Sequence, residues 1–309
     1  MKATGWMVVG TLLMVCGVVQ GAALAPEPTA EQIAKMRAAA PKQARVKPEK
    51  GRKLLVFSLS WGFKHTSIPY GKKAIQILGE ESKAFETTLS DDIRMFEPES
   101  LKQYDAVFFN NTNNEIFLPE EMDKLTAAER AAALDLDARL KKSFVVYLQG
   151  GGGLAVIHAG VASFREWDEF GNIMGARFEN HPWGSGSKVW FKVEEPNHAL
   201  GKAFKESPFA LRDEIYQVKD PYSREKLRVL VSIDATKTEM TRQGIVRKDG
   251  DFAMTWIKSY GEGRVYYNAF GHDFDIFWNP EVLQHWLDGI QFVLGDLKAD
   301  TTPSDVIRR

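Results

Sequence analysis

Residues 150–160 read GGGGLAVIHAG: a glycine run, four apolar residues, then His158 before two small residues. The run Leu154–Ile157 is too short for a helix and shows no polar alternation. Led in by glycine and ended by a small-residue turn, it reads as a strand buried on both faces, as in a parallel sheet. The turn that follows is where many α/β enzymes display a serine or cysteine nucleophile; here it displays an imidazole. The glycines precede the strand and lack a GK[ST] ending, so they do not form a phosphate loop. They read instead as a connection that lets the strand approach a neighbour closely, which weighs against a nucleotide cofactor.

Working outward, the same pattern recurs. LLVFSLS (Leu54–Ser60), FETTLSDD and YDAVFFNNT (Tyr104–Thr112) read as strands. TSIPYGKKAIQILGEES and Thr126–Lys142 read as helices between them. Strands alternating with helices predict an α/β fold, a parallel sheet covered on both faces. In such sheets ligands sit outside the carboxyl ends of the strands. Here those ends supply Ser58, Ser60, Asn110, Asn111, Thr112 and His158. After residue 160, KVWFKVEE, LRVLVSID, FAMTWIKSY and GRVYYNAFGHD read as added strands, extending the sheet or flanking it. NPEVLQHWLDGIQFVLG reads as a closing helix with an Asn279 cap and Pro280 in its first turn.

The ends of the chain differ from its middle. Lys2, the uncharged run Trp6–Val19 and the small residues GAALA have the layout of a signal peptide over residues 1–25, too short for a comfortable membrane span. Export to the periplasm or medium is therefore expected, with no stable membrane insertion after cleavage. The single cysteine, Cys16, falls in that segment, so the mature chain would hold no disulfide, thiolate metal site or cysteine nucleophile. Loss of Lys2 takes the net charge from −1 to −2, no footprint for nucleic acid or an anionic membrane. Residues 26–52, rich in Pro, Ala and Lys, read as a linker with one short helix around Ala30–Ala39. The folded domain is expected over 53–295, with a C-terminal tail over 296–309.

All six histidines lie in that domain. His65 follows the first strand, His158 ends the glycine-led strand, His181 sits in ENHPWG, and His272 follows VYYNAF. His198 in PNHAL reads as a turn former and His285 as a residue of the last helix. With Asp213 and Glu214 in RDEIY, and Glu179 near His181, the residues His65, His158, His181 and His272 form a candidate site. Two chemistries suit it: a divalent metal such as zinc held by neutral imidazoles and a carboxylate, or metal-free acid/base catalysis. No HxxxH or HExxH spacing selects the first. Trp61, Trp167 and Trp183 stand in segments dense in glycine and charge, where flat rings could stack on sugar faces. With Asn110, Asn111 and Asp213 they are the candidate substrate contacts.

Taken together, LLVFSLSWGFKHTSI, YDAVFFNNT, GGGGLAVIHAG, WDEFGNIMGARFENHPWG, PNHAL, DEIY and YGEGRVYYNAFGHD resemble the ThuA-like (trehalose utilisation) family, in the family's order over most of 53–295. The resemblance implies a class I glutamine amidotransferase-like fold, a flavodoxin-like parallel sheet flanked by helices with added strands in the C-terminal half, in which His158 stands where amidotransferase relatives place their cysteine. It implies a carbohydrate-catabolic role without glutamine hydrolysis. The expectation is an exported hydrolase or lyase acting on a glycoside or keto-glycoside. His158 would be base or central ligand, His65 and His272 polarising or coordinating groups, and Glu214 a second acid or a structural partner. The rival readings are a non-catalytic sugar-binding protein and a scaffold module.

Overall fold

The structure, a computed structural model, describes residues 26–307. The expected signal peptide, Cys16 included, lies outside the described residues. Among those described, no helix is long and apolar enough to cross a membrane.

The elements in chain order are α1 (Ala30–Ala39), β1 (Lys53–Phe57), α2 (Ile68–Ser82), β2 (Glu86–Ser90), α3 (Pro98–Leu101), β3 (Ala106–Asn110), α4 (Ala127–Gln149) and β4 (Gly153–Ile157). There follow α5 (Asp168–Met174), β5 (Arg177–Trp183), β6 (Lys188–Val193), β7 (Phe209–Arg212), β8 (Ile215–Lys219), β9 (Arg228–Ile233), β10 (Ala253–Tyr260), β11 (Gly263–Asn268) and α6 (Pro280–Val293). Nine strands make one sheet in the order β2-β1-β3-β4-β11-β10-β9-β6-β7, and β5 pairs with β8 in a separate ribbon. From β2 to β11 the neighbours are parallel; from β10 to β7 they are antiparallel. The first five strands thus carry the flavodoxin-like order, and the added strands extend the sheet.

Local chemistry accounts for the elements. The central strands β1, β3 and β4 are buried almost throughout, as continuous apolar runs covered on both faces should be. Thr126 and Glu129 form a capping box that starts α4, which runs seven residues beyond the expected Lys142. Asn279 caps α6 by accepting from the backbone of Glu281 and Val282, and α6 lies buried against β11. A Cβ on Gly153 would come within 2.2 Å of the Val293 carbonyl oxygen, and one on Gly289 within 2.4 Å of the Tyr266 ring. Gly153, the first residue of β4, is thus what lets the sheet and α6 meet.

The two flanking segments are laid on the domain. In the segment expected as a linker, α1 covers its ends as predicted, but Met36 is fully buried. Arg45 makes a two-toothed ion pair with buried Asp288 of α6 (3.0 and 2.6 Å), and Gln291 bonds the backbone of Arg45 and Val46. Composition predicted a tether because it is polar; these polar groups have partners. Beyond residue 295, Thr302 accepts from Arg228 of β9, and the Ser304 side chain accepts from the Val229 backbone.

Register sets the functional edge. Asn110, Ile157 and Asn268 lie abreast at the carboxyl ends of β3, β4 and β11. The next residues open the loops, and two of them, Asn111 (φ 53°) and His158 (φ 42°), are in the left-handed region. That conformation is costly for a residue with a Cβ and is held only where the surroundings fix it.

Candidate functional site

Three strand-end loops are tied together above this edge. Single bridges join Ser60 to Asn113 and Asn114 to Ser163, so the chain after β1, β3 and β4 forms one floor. Asn111 reaches across it: its amide nitrogen donates to Ser67 Oγ (3.2 Å) and to the Gly271 carbonyl (3.1 Å), and its oxygen accepts from the Ala159 N–H (3.2 Å). This asparagine brings together the start of α2, the turn after His158 and the loop after β11.

On that floor three imidazoles converge. The ring centroids of His65 and His158 are 5.1 Å apart, and His272 lies 5.4 Å from each. Glu214 closes the group: its Oε2 is 3.5 Å from His158 Nε2 and 3.7 Å from His272 Nε2. One donor atom from each of His65, His158, Glu214 and His272 lies within 4.8 Å of the others. His181 stands outside this set, exposed at the mouth, with Nδ1 3.3 Å from the other Glu214 oxygen. All four expected histidines therefore share one rim, and the carboxylate takes the inner position that residue type had given to His181.

Each inner imidazole is fixed by a second partner. His158 Nδ1 is 3.0 Å from the Ala269 carbonyl, which makes it the N–H donor and leaves Nε2 without a proton. His272 Nδ1 lies 2.9 Å from Asp273 Oδ1, and His65 Nε2 is 3.3 Å from the Tyr216 hydroxyl. What remains are two buried nitrogens, His65 Nδ1 and His158 Nε2, with no hydrogen-bond partner. Each such orphan costs its desolvation, and these two, unlike the unpaired His285 Nε2 inside the core, lie beside a carboxylate and a third imidazole. Burial pushes His65 down to about 2, with His158 and His272 adding to the effect. Burial likewise lowers His158, against the opposing pull of Glu214. Burial alone would raise Glu214, but the imidazoles around it outweigh that and hold it below the usual carboxylate range. The result is a neutral His65 and a neutral His158 beside an ionised carboxylate, the protonation state a cation requires of such ligands.

The support beneath is equally built. Asp213 is fully buried and accepts from the backbone N–H groups of Gly271 (2.9 Å), His272 (3.1 Å) and Asp273 (2.7 Å). Asp273 in turn accepts from Ser185 Oγ and the Gly186 N–H, both at 2.6 Å. A cavity of about 340 Å³ lined by Thr66, Ser185, His272, Asp273, Phe274 and Asp275 opens beside the cluster. A second, of about 420 Å³, is lined by Trp61, Gly62, Glu115, Arg165 and Glu166 among others.

Several expected substrate contacts take other work. Trp183 is fully buried, with its indole N–H donated to the Glu239 carbonyl and its ring edge-on to Phe252, so it presents no face to a ligand. Asn110 donates to Ser58 Oγ and the Ile68 carbonyl. Asn111 and Asp213 brace loops as described. Trp167 packs on Phe164 and Phe170 under Lys141. Glu179 pairs with Lys219, away from the cluster. Trp61 keeps its place on a cavity wall. His198 and His285 bond the Asp300 and Leu200 carbonyls, as residues outside the site. Sequence reasoning missed Tyr216, Asp273 and Phe63. Alternation along DEIY carries the signal for the first, since Glu214 and Tyr216 fall on one face and Asp213 on the other.

The profile of the ThuA family, described as trehalose utilisation, matches residues 53–293. Among solved structures, a ThuA-like protein from Bacteroides uniformis is similar at a TM-score of 0.59 and 20% identity, over 82% of this chain and 93% of its own. A ThuA-like protein from Parabacteroides merdae aligns at 0.51 and 15%, over 83% and 94%. A cytoplasmic protein of Salmonella typhimurium aligns at 0.51 and 12%, over 78% and 98%. At these identities the likeness is one of fold. No curated protein matches the chain.

Proposed function

The chain belongs to the ThuA (trehalose utilisation) family, and from that premise we propose that it is a metal-assisted enzyme acting on glycosides or keto-glycosides. The observation that carries the reading is the pair of orphaned imidazole nitrogens, His65 Nδ1 and His158 Nε2, beside a carboxylate. Three nitrogens and one oxygen suit zinc and similar divalent ions, and carbonyl- and carboxylate-anchored second nitrogens are what metal-bound histidines ordinarily have. When bound, such an ion supplies Lewis acidity toward a sugar carbonyl or hydroxyl.

The protein's own groups supply the rest. Glu214 faces the imidazoles with one oxygen and His181 with the other, so it can take a proton from a sugar carbon or hydroxyl and pass it to His181. The exposed His181 ring can then release that proton to water. In a keto-sugar the hydrogen alpha to the carbonyl is acidic enough for this route: the C–H electron pair becomes the carbon–carbon double bond as the glycosidic C–O bond breaks, and the departing oxygen takes a proton from water. Tyr216, whose ring lies 4.3 Å from that of His158, walls the site on one side. Burial holds its phenol well above the usual range, which keeps its proton in place. Export through residues 1–25 belongs to the same proposal, and amino-terminal sequencing of periplasmic protein tests it.

Turnover of keto-disaccharides and plain glycosides by the purified protein, with and without chelator, tests the reaction. The expected result is chelator-sensitive turnover that His158→Ala abolishes. Turnover untouched by both sinks the assignment.

A further inference from the structure

Among the described residues α4 is the longest helix, and half of it has little to pack on. Its buried residues are Asp137, Leu140, Phe144 and Leu148. Nothing from Ala127 to Leu136 is fully buried, and Leu134 and Val146 stand 48% and 59% exposed. Alanine propensity and the Thr126–Glu129 capping box keep those first turns helical. Neither accounts for apolar side chains left in water along a helix, whose stability ordinarily comes from packing one face.

The charges of α4 divide by face. On the inner side Lys141 pairs with Asp137 (2.9 Å) and Glu115 (3.5 Å), and at the edge Arg139 reaches Glu97 (3.5 Å). On the outer side Asp135 and Lys142 have no ion-pair partner among the described residues. They lie two turns apart, about 10 Å along the axis, too far to pair with each other. Ala131, Asp135, Ala138, Lys142 and Val146 recur at helical spacing and are all exposed, so they share the side turned away from the buried residues.

A two-fold rotation makes that side complementary to itself. With two copies of α4 antiparallel and the dyad midway between Ala138 and Arg139, Asp135 stands level with the partner's Lys142, and Ala131 with the partner's Val146. Each contact occurs twice, as in any isologous interface. The small Ala138 beside the dyad lets the axes approach to about 8–10 Å. Next to Val146 a groove of about 500 Å³ is lined by Leu101, Arg139, Lys142, Ser143, Val146 and Tyr147 among others; it lies level with the partner's Ala128 and the partner's Ala132. A parallel pairing would set Asp135 against the partner's Asp135, a like-charge contact. We propose that α4 is the interface of a homodimer, packed antiparallel on the α4 of a second copy through two Asp135–Lys142 ion pairs. Because α4 runs from the carboxyl edge of the sheet to its amino edge, the two histidine clusters then open in opposite directions, and the proposal stands apart from what they bind.

Sedimentation velocity of the full protein over a concentration series reads the association. The wild type is expected to form a concentration-dependent dimer, since one helix face and its groove lie at the small end of interface sizes, and to weaken as salt is raised. Asp135→Lys sets like charges together at both pairs and is expected to weaken the dimer at least about tenfold; Lys142→Asp does the same. The double variant Asp135→Lys/Lys142→Asp restores opposite charges in reversed order and returns the dimer to near its wild-type strength. Circular dichroism melts confirm that the variants are folded. A wild type that stays monomeric throughout, leaving this face to a different protein, overturns the proposal. So does a dimer that Asp135→Lys leaves intact, or one that the double variant fails to restore.

Discussion

Replacing Asp213 by asparagine strikes the support of the candidate centre without touching a donor atom. Asp213 Oδ1 accepts from the His272 and Asp273 N–H groups, and Oδ2 from Gly271. Burial holds the Asp213 carboxyl well above the usual carboxylate range, against the pull of the three N–H groups, so the cost is counted from the hydrogen bonds and not from a charge. Asparagine keeps one acceptor oxygen but sets an amide N–H against the third donor; the lost bond contributes about 0.5–1.5 kcal/mol and the unsatisfied buried donor costs about 1–3 kcal/mol. Together they give a destabilisation of about 3 kcal/mol. For a domain of this size that lowers the melting temperature by about 6–10 °C. Because the same loop carries His272, the variant should also lose most of the stabilisation that added zinc gives the wild type. For comparison, a ligand at a hundredfold excess over its Kd raises stability by about 2.7 kcal/mol. Thermal melts with and without zinc read both effects. An Asp213→Asn protein that melts within a degree or two of the wild type, and gains as much from zinc, refutes the account of this carboxylate.

Three further outcomes follow from the packing and the buried charges. His65 has its pKa depressed in the fold, so the unfolded chain binds the proton first. The stability it contributes is whole above about pH 6.5 and declines below it, by about 2 kcal/mol at pH 5; urea midpoints of metal-free protein at pH 7.5 and 5, beside His65→Asn, measure it. Arg45→Ala leaves Asp288 buried without its cation, and because Arg45 is itself partly exposed the cost sits near the low end for a broken buried pair, about 3 kcal/mol by denaturant unfolding. A neutral result would return residues 26–52 to a tether. Gly153→Val drives a side chain into the Val293 backbone and is expected to cost about 3 kcal/mol or more, whereas Gly184→Ala, with open space around it, should be nearly silent in the same melt.

The parallel half of the fold was legible because β1, β3 and β4 are short apolar runs that end abruptly in polar residues, and their length separates them from helices. The β5–β8 ribbon was not. Arg177–Trp183 is half-exposed along most of its length, contains Pro182 and pairs through register shifts, so it shows neither alternation nor an apolar run. The histidine cluster was legible from imidazoles recurring at strand ends. Glu214 was given a lesser part because it lies beside that ribbon. In DEIY only the direction of each side chain separates the ligand from the brace, and direction is invisible until the strand is recognised. The tryptophans show the same limit. Trp61 and Trp183 occur in similar glycine-rich contexts, yet one lines a cavity and the other fills the core, a difference made by tertiary packing alone.

The central claim is that His65, His158, His272 and Glu214 together hold a divalent cation. Elemental analysis of the purified protein, followed by zinc titration of the metal-stripped form, tests it most directly. The account predicts about one divalent ion per chain in the wild type, with that binding lost in His158→Ala and in Glu214→Ala while His181→Ala retains it. A wild type that takes up no metal, or variants that bind it as well as the wild type, would contradict it.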